Sequence, residues 1–173
     1  KYLHFIVNPI SGKAKHRLSL CQLRHFFPRT QFRIELDYTK YKGHAVELAK
    51  YIAEGNPDCI IACGGDGTIN EVASAIVGTS IALGIVPVGS GNGLASNLNI
   101  PTILDDALAL VKAGHESFID VGKVNEKYFF SNMGVGIDAE IIRRYEQAGK
   151  RTLSAYVKAA VVASTSYREK SYT

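Results

Sequence analysis

The chain has 173 residues, 46% of them hydrophobic, and a formal net charge of +4 at pH 7. That length accommodates one well-packed domain and part of a second, with the residue balance of a soluble α/β protein. No apolar stretch in these residues is long enough to span a bilayer, and no signal peptide is expected.

The first 113 residues alternate between apolar runs of strand length and segments of helix length. The predicted strands are 3–7, 32–36, 59–63 and 81–88; the predicted helices are 14–26, 44–54, one that opens at Thr68, 94–98 and 104–112. Unbroken apolar strands separated by helices predict βαβ units around a mostly parallel sheet. We therefore predict a three-layer α/β domain over residues 1–115.

The pattern changes after Gly114. Segments 118–124 and 128–133 are predicted to form an antiparallel hairpin, because only a short turn separates them. Segments 138–147 and 153–169 are predicted to be helical. The tail is too short for a good core of its own. We therefore expect residues 116–173 to begin a second domain whose remainder is absent.

Glycine-bearing turns follow three of the predicted strands, at the sheet edge where parallel sheets bind ligands. The most informative is Gly64-Gly65-Asp66-Gly67-Thr68, which follows strand 59–63. Glycine lets a ligand approach the backbone, and a helix N-terminus favours phosphate. A carboxylate repels phosphate unless it holds Mg²⁺ or accepts a proton from an attacking hydroxyl. Asp66 therefore indicates phosphoryl transfer.

The other two turns are 8–12 and 89–93. Basic residues after Gly12 oppose the helix dipole unless an anion binds there; a solvated helix start is the alternative. This turn lacks the glycine spacing of a Walker A loop. Ser90 and Asn92 place polar groups beside glycine backbone, although an ordinary loop has the same composition. Together with the central turn, both favour a phosphate site.

Several polar residues have two interpretations each. Glu71 either favours the start of its own helix or contacts a ribose or base. Thr39 is a turn or cap hydroxyl unless it faces the ligand, and Asp138 either caps helix 139–147 or contacts a substrate headgroup. Four basic residues form a solvated face, or one of them clamps the transferred phosphoryl group. They are Arg143, Arg144, Lys150 and Arg151.

The three cysteines show no metal-binding spacing. Cys59 and Cys63 lie four apart in a strand pattern and share a face, with no second ligand pair. Packed, reduced thiols are expected, which favours a cytoplasmic protein.

Together these motifs resemble the diacylglycerol kinase catalytic-domain family, which includes sphingosine, ceramide and bacterial lipid kinases. The matching segments are 8–12, 64–72, 87–92, 120–122 and 132–139. The resemblance implies transfer of the γ-phosphoryl of ATP, with Mg²⁺, to a lipid hydroxyl. It also implies that the nucleotide lies between the α/β domain and a β-sandwich domain, here incomplete.

The turns and the resemblance together assign site residues. Asp66 is expected to be the base or the residue linked to magnesium, and Asp138 to face the lipid substrate. The residues expected to contact ATP are Asn8, Ser11, Gly12, Thr39, Gly64, Gly65, Gly67, Thr68, Glu71, Gly89, Ser90, Asn92 and Arg151.

The sequence departs from the family in two respects. The third turn reads Gly-Ser-Gly-Asn-Gly, where many bacterial members have Gly-Thr-x-Asn-Asp. It resembles the sphingosine kinase version, so the acceptor, diacylglycerol or sphingosine-like, stays open. In bacterial relatives the region beyond residue 173 supplies a catalytic carboxylate and magnesium ligands, so the present chain is expected to lack full activity.

Two other functions remain open: an NAD kinase, whose motif shares Gly-Gly-Asp-Gly-Thr, and a non-catalytic nucleotide-binding module. The expected partners are ATP, a lipid alcohol and an anionic membrane surface contacted peripherally. The mild positive charge permits that contact. No nucleic-acid partner is expected, and a homodimer is left open.

Overall fold

The computed structural model describes residues 1–12, 18–131, 133–134, 136–147 and 153–167. It divides into two units, Lys1–Ser131 and Asn132–Thr173. The predicted boundary near residue 115 falls within the first unit. That a second domain of the whole protein begins near residue 116 stays a prediction.

A four-stranded parallel sheet forms the centre of the first unit. Its strands are β1 (Tyr2–Val7), β2 (Arg33–Tyr38), β3 (Cys59–Gly64) and β4 (Ala82–Pro87), in the order β2-β1-β3-β4. All three pairings are parallel. The chain steps from β1 outward to β2 and then returns to β3 on the other side of β1. The point between β1 and β3 is therefore the topological switch point, where open α/β sheets bind ligands.

Helices cover both faces of this sheet. They are α1 (Leu20–Phe26), α2 (His44–Ala53), α3 (Asp66–Ile76), α4 (Gly93–Asn97) and α5 (Leu104–Ala113). On one face, Phe5 and Val7 pack in a core with residues of α1 and α5. On the other face, Ile6 packs in a second core with residues of α2 and α3. Successive β1 side chains thus enter opposite cores, and the predicted three-layer α/β architecture is confirmed.

Two helices begin elsewhere than the sequence predicted. The prediction over 14–26 is wrong at residues 18 and 19, because α1 begins at Leu20. Ser19 has extended backbone and accepts the Gln22 N–H in a capping box, so it is the N-cap that precedes the helix. Residues 14–17 of that prediction lie outside the described residues. Helix α3 begins at Asp66 and not at Thr68, with extended Gly65 as its N-cap.

The predicted hairpin is present but shorter than expected. Strands β5 (Gly122–Val124) and β6 (Lys127–Phe129) pair antiparallel across Asn125 and Glu126, which both have positive φ. Two positive φ angles produce the tight turn whose twist matches a hairpin. Residues 118–121 are not strand, and Phe118 is fully exposed. The hairpin belongs to the first unit, where the Asn70 side chain donates to the Tyr128 carbonyl.

The second unit contains two helices, α6 (Ile137–Gln147) and α7 (Leu153–Ser166). Their packing includes an edge-to-face contact of the Tyr145 and Tyr156 rings at 5.8 Å. They confirm the predicted helix 138–147 and, as far as Ser166, the predicted helix 153–169; residues 168 and 169 lie outside the described residues. The described residues include no helix long and apolar enough to cross a membrane.

Candidate functional site

The three predicted turns meet at one edge of the sheet, because they follow the adjacent strands β1, β3 and β4. Val7 pairs with Cys63, and Gly64 pairs with Pro87, so these strands end at nearly the same level. The Asn8 N–H donates to the Cys63 carbonyl at 2.9 Å. The pairing therefore brings all three turns to the switch point, as the sequence predicted.

The side chain of Asn8 joins the first turn to helix α3. Its Nδ2 donates to Thr68 Oγ1 at 3.1 Å, while its Oδ1 accepts the Ile10 N–H at 3.1 Å. Thr68 and Ser11 are buried. Gly12 has φ +74°, and an added Cβ there would lie 2.3 Å from the Val88 carbonyl oxygen. The first turn is thus fixed against both neighbouring turns.

The glycines of the second turn have different surroundings. A Cβ at Gly64 would lie 2.5 Å from Thr68 Oγ1, and a Cβ at Gly65 would lie 3.3 Å from the Gly89 Cα. Gly67 instead is exposed and has nothing within 4 Å of an added Cβ. Packing inside the protein therefore explains Gly64 and Gly65, whereas the space beside Gly67 is open to a ligand.

Asp66 lies at the centre of this edge. As the first residue of α3 it is exposed, and its Oδ1 accepts the Leu94 N–H of α4 at 3.4 Å. The expectation that Asp66 precedes the helix is wrong, because extended Gly65 already caps α3; an acidic side chain in a first turn is also favourable.

The third turn bounds the Asp66 carboxylate. An added Cβ at Gly91 would lie 2.9 Å from Asp66 Oδ2, and one at Gly93 would lie 3.6 Å from Oδ1. The contribution of Leu94 was not predicted, because a backbone N–H leaves no signature in the sequence. The Leu94 N–H therefore orients the Asp66 carboxylate, which stays accessible to solvent.

Asn92 closes the third turn on itself. Its Oδ1 accepts the Gly89 N–H at 3.0 Å and its Nδ2 donates to the Gly89 carbonyl at 2.9 Å. The residue is buried and has φ +58°. Ser90 lies exposed within the loop. Asn92 therefore shapes the loop that presents Ser90, and direct contacts of either residue to ATP stay predictions.

Glu71 contacts a neighbouring helix. Because α3 begins at Asp66, Glu71 lies beyond the first turn, and its predicted role at the start of its own helix is wrong. Its two carboxylate oxygens accept the N–H groups of Gly43 and Ala45, at the N-terminus of α2. Thr39 is the first residue of the loop that connects β2 to α2, and its N–H donates to the Val7 carbonyl at 2.9 Å.

The remaining predicted site residues belong to the second unit. Asp138 is exposed within the first turn of α6; its predicted cap position is wrong because the helix begins at Ile137. Arg143 and Arg144 both donate to Glu140, and these two guanidinium groups lower the pKa of Glu140 to about 2. Lys150 and Arg151 lie outside the described residues.

A metal ion at this edge would have few protein ligands. Across the described residues, no three His, Cys, Asp or Glu side chains come together as a metal site. Magnesium in phosphoryl-transfer sites commonly uses one or two carboxylates, with substrate phosphates and water completing its shell. The exposed Asp66 carboxylate fits that pattern.

The cysteines are not part of this edge as a metal or disulfide site. All three are free thiols, with Cys63 buried and Cys21 exposed. Burial raises the pKa of Cys59 to about 12 and raises that of Cys63 as well. The predicted packed thiols in β3 are confirmed.

Sequence comparison identifies relatives among lipid kinases. Residues 2–124 match the family described as the diacylglycerol kinase catalytic domain. A probable lipid kinase YegS-like of Klebsiella pneumoniae is 38% identical over 129 residues, covering 73% of this chain and 43% of the relative. A diacylglycerol kinase of Staphylococcus saprophyticus is 34% identical over 138 residues, covering 79% of this chain and 45% of the relative.

Solved structures give the same result. The crystal structure of a diacylglycerol kinase from Bacillus anthracis aligns with a TM-score of 0.61 at 26% identity, covering 74% of this chain and 47% of that one. The chain thus spans less than half of the length of the curated relatives described above. A family match over most of its residues shows that this chain belongs to the diacylglycerol kinase catalytic domain family.

Proposed function

We propose that this chain is the nucleotide-binding part of a lipid kinase that transfers the γ-phosphoryl of ATP to a lipid hydroxyl. The observation that carries the proposal is the exposed Asp66 carboxylate, flanked by the open space at Gly67 and bounded by the turn after β4. The relatives that are named lipid kinase and diacylglycerol kinase support this choice of reaction.

In this proposal the phosphates lie against backbone at the three turns. The first turn of α3 offers N–H groups at its N-terminus, where the helix dipole favours an anion. Gly67 and Thr68 lie in that turn, and the absence of any atom within 4 Å of a Gly67 Cβ gives a phosphate room. Gly12 and Ser90 bound the same edge from the first and third turns.

Asp66 has two roles open to it, and both fit its exposure. As a base, the carboxylate accepts the proton of the lipid hydroxyl as that oxygen attacks the γ-phosphorus, while the bond from that phosphorus to the β–γ bridging oxygen breaks and ADP leaves. As a magnesium ligand, it holds an ion that would neutralise charge on the phosphates. The Leu94 N–H bond at Oδ1 orients the carboxylate in either case.

The rest of the site is proposed from motif position. Asp138 is assigned to the lipid headgroup and Arg151 to a phosphate, and the second domain that begins after residue 115 supplies the other wall. The acceptor is diacylglycerol or a sphingosine-like lipid, presented at an anionic membrane surface that the protein contacts peripherally from the cytoplasm. An NAD kinase and a non-catalytic nucleotide-binding module remain the competing functions.

The deciding experiment is phosphorylation with labelled ATP, using the longest natural form of the protein and Mg²⁺. Diacylglycerol and sphingosine are offered separately in anionic vesicles, and NAD is offered in solution. Asp66→Asn is the matched inactive variant, because the amide preserves size. We expect one labelled lipid, formed by the wild type and nearly absent with the variant.

Each competing function has its own outcome. Labelled NADP without labelled lipid overturns the proposal in favour of an NAD kinase. Binding of ATP without transfer to any acceptor favours a non-catalytic module. Equal labelling by Asp66→Asn would remove Asp66 from the chemistry.

A further inference from the structure

Helix α2 begins without a cap of its own. Its N-cap residue is Gly43, which has φ +92° and no side chain to accept a hydrogen bond. The first N–H groups of a helix have no partner within that helix and need an acceptor from elsewhere. Within the loop the Tyr41 carbonyl accepts the His44 N–H, so the N–H groups of Gly43 and Ala45 are the ones that use an acceptor from another element.

Glu71 of α3 supplies that acceptor. Oε1 accepts the Gly43 N–H at 3.0 Å, and Oε2 accepts the Ala45 N–H at 3.2 Å. Both oxygens of one carboxylate thus contact backbone 28 and 26 residues away in the chain. A carboxylate at a helix N-terminus is also favoured by the helix dipole. The two hydrogen bonds therefore join α3 to the start of α2.

The loop held in this way connects β2 to α2 at the candidate nucleotide edge. At its first residue, the Thr39 N–H donates to the Val7 carbonyl of β1. At its last residue, Gly43 is bound to Glu71. Helix α3, which carries Glu71, begins with Asp66 and Gly67. Hydrogen bonds therefore connect the loop to β1 at one end and to α3 at the other.

We propose that Glu71 is a positioning residue for the nucleotide: it fixes the loop from Thr39 to Gly43 against α3. The proposal rests on the proposed function, because it assumes that ATP binds at this edge. It predicts that losing the carboxylate weakens nucleotide binding evenly, whichever part of the nucleotide is altered.

The test compares Glu71→Gln with wild type and with Glu47→Gln. Glu47 is the matched control, because it is an exposed carboxylate in the first turn of α2 whose Oε2 accepts the Tyr41 hydroxyl. The Glu47→Gln variant removes the same charge near the N-terminus of α2, and it leaves the hydrogen bonds of the Gly43 and Ala45 N–H groups in place. A Gln at 71 keeps one acceptor oxygen but turns an NH₂ group toward the second N–H.

We expect Glu71→Gln to raise the Kd and KM for ATP about tenfold, the effect of one lost charge-assisted hydrogen bond. The lost interaction stabilises bound ATP equally in the ground state and the transition state, so kcat should change much less than KM. Amide hydrogen exchange should accelerate at Gly43 and Ala45. Global destabilisation alone would not shift the KM of the molecules that remain folded.

Deoxynucleotides separate positioning from direct contact. With 2′-deoxy-ATP and 3′-deoxy-ATP, a positioning role predicts the same loss in Glu71→Gln as with ATP. A direct ribose contact predicts that the loss disappears with one of these analogues, which would overturn the inference.

The failure of each proposal has its own signature. Wild type that binds no ATP overturns the proposed function. Wild type that binds ATP while Glu71→Gln binds it equally well, or no more weakly than Glu47→Gln, overturns the positioning role alone.

Discussion

Gly65 and Gly89 approach each other so closely that neither can carry a side chain without displacement. A Cβ added at Gly89 would lie 2.3 Å from the Gly65 Cα and 2.8 Å from Asn92 Oδ1. The contact joins the turns after β3 and β4 backbone to backbone. It fixes the spacing between the α3 N-terminus and the loop that bears Ser90.

This contact predicts opposite behaviour for two glycines of neighbouring turns. Gly89→Ala should destabilise the protein by about 1–3 kcal/mol, because backbone must move to admit the methyl group. Gly67→Val should change the free energy of unfolding by less than about 1 kcal/mol, since its Cβ enters open space and valine suits a helix better than glycine. Urea denaturation of both variants measures the difference.

Nucleotide affinity gives the second half of this comparison. The Gly67→Val side chain should occupy the space proposed for a phosphate and weaken ATP binding at least about tenfold, or 1.4 kcal/mol. Isothermal titration with ATP measures the loss in a protein whose stability is preserved. Unchanged affinity in Gly67→Val would place the phosphates elsewhere.

The proposed chemistry predicts a separation of turnover from stability at Asp66. Asp66→Asn should lower kcat by about 10²–10⁴-fold, the usual contribution of a positioned acid or base. The unfolding transition should move little, because the side chain is exposed and the amide oxygen still accepts the Leu94 N–H. Initial rates at saturating ATP are compared with thermal unfolding of the same preparation. Near-normal turnover would leave Asp66 a structural residue of the helix start.

The sheet was predictable because hydrophobic pattern and burial coincide. Strands β1 and β3 are buried at nearly every position, so their sequences are mostly apolar, with the buried His4 as an exception within β1. The start of α1 was also encoded, in the Ser19 and Gln22 capping box, but the helical pattern upstream obscured it. The hairpin was predicted too long, because residues 118–121, three of them apolar, resemble a strand although they pair with no strand among the described residues.

Site roles that depend on packing between elements were not predictable in the same way. The glycines of the three turns stand in short contiguous motifs, so they could be identified from the sequence. The acceptor role of Glu71 depends on how α2 lies beside α3, which no short window of sequence specifies. Asn92 presents the same difficulty, because a loop-closing amide and a phosphate-binding amide have the same sequence pattern.

Thiol reactivity should follow burial. Cys21 is exposed, whereas burial raises the pKa of Cys59 to about 12 and makes the reactive thiolate scarce there and at Cys63. The thiolate is the nucleophile, so iodoacetamide should label Cys21 in the native protein and the other two only after unfolding. Mass spectrometry of peptides counts the labels, with the denatured protein as control. Labelling of native Cys63 as fast as Cys21 would contradict the buried β3.

Acid should weaken the helical second unit. The pKa of Glu140 lies near 2 in the folded chain, below its ordinary 4.5, because Arg143 and Arg144 donate to its carboxylate. A depressed folded pKa means that the stabilisation is present above pH 4.5 and is lost as the pH falls toward 2. The expected sign is therefore a loss of helix on acidification.

Far-UV circular dichroism across that range tests this effect in Glu140→Gln, which should flatten the loss. Asp138→Asn, an acid from the same first turn of α6, is the matched control and should titrate like wild type. High salt should reduce the effect, because the ion pairs are near the surface. An unchanged titration in Glu140→Gln would assign the acid sensitivity to other groups.

The Asn8–Thr68 hydrogen bond should couple the first turn to α3 energetically. Nδ2 and Oγ1 are 3.1 Å apart, and Thr68 is buried, so removing the Asn8 side chain leaves the Thr68 hydroxyl without this partner. We expect Asn8→Ala and Thr68→Val each to cost about 1 kcal/mol or more, and the double variant to cost less than their sum. Thr68→Ser retains the hydroxyl and is the control that should preserve the coupling with Asn8. The measurement is a double-mutant cycle in urea, repeated with saturating ATP to learn whether the bond also supports nucleotide binding. Strictly additive costs in the absence of ATP would show that the two side chains act independently, and that β-strand pairing alone holds the first turn against the helix.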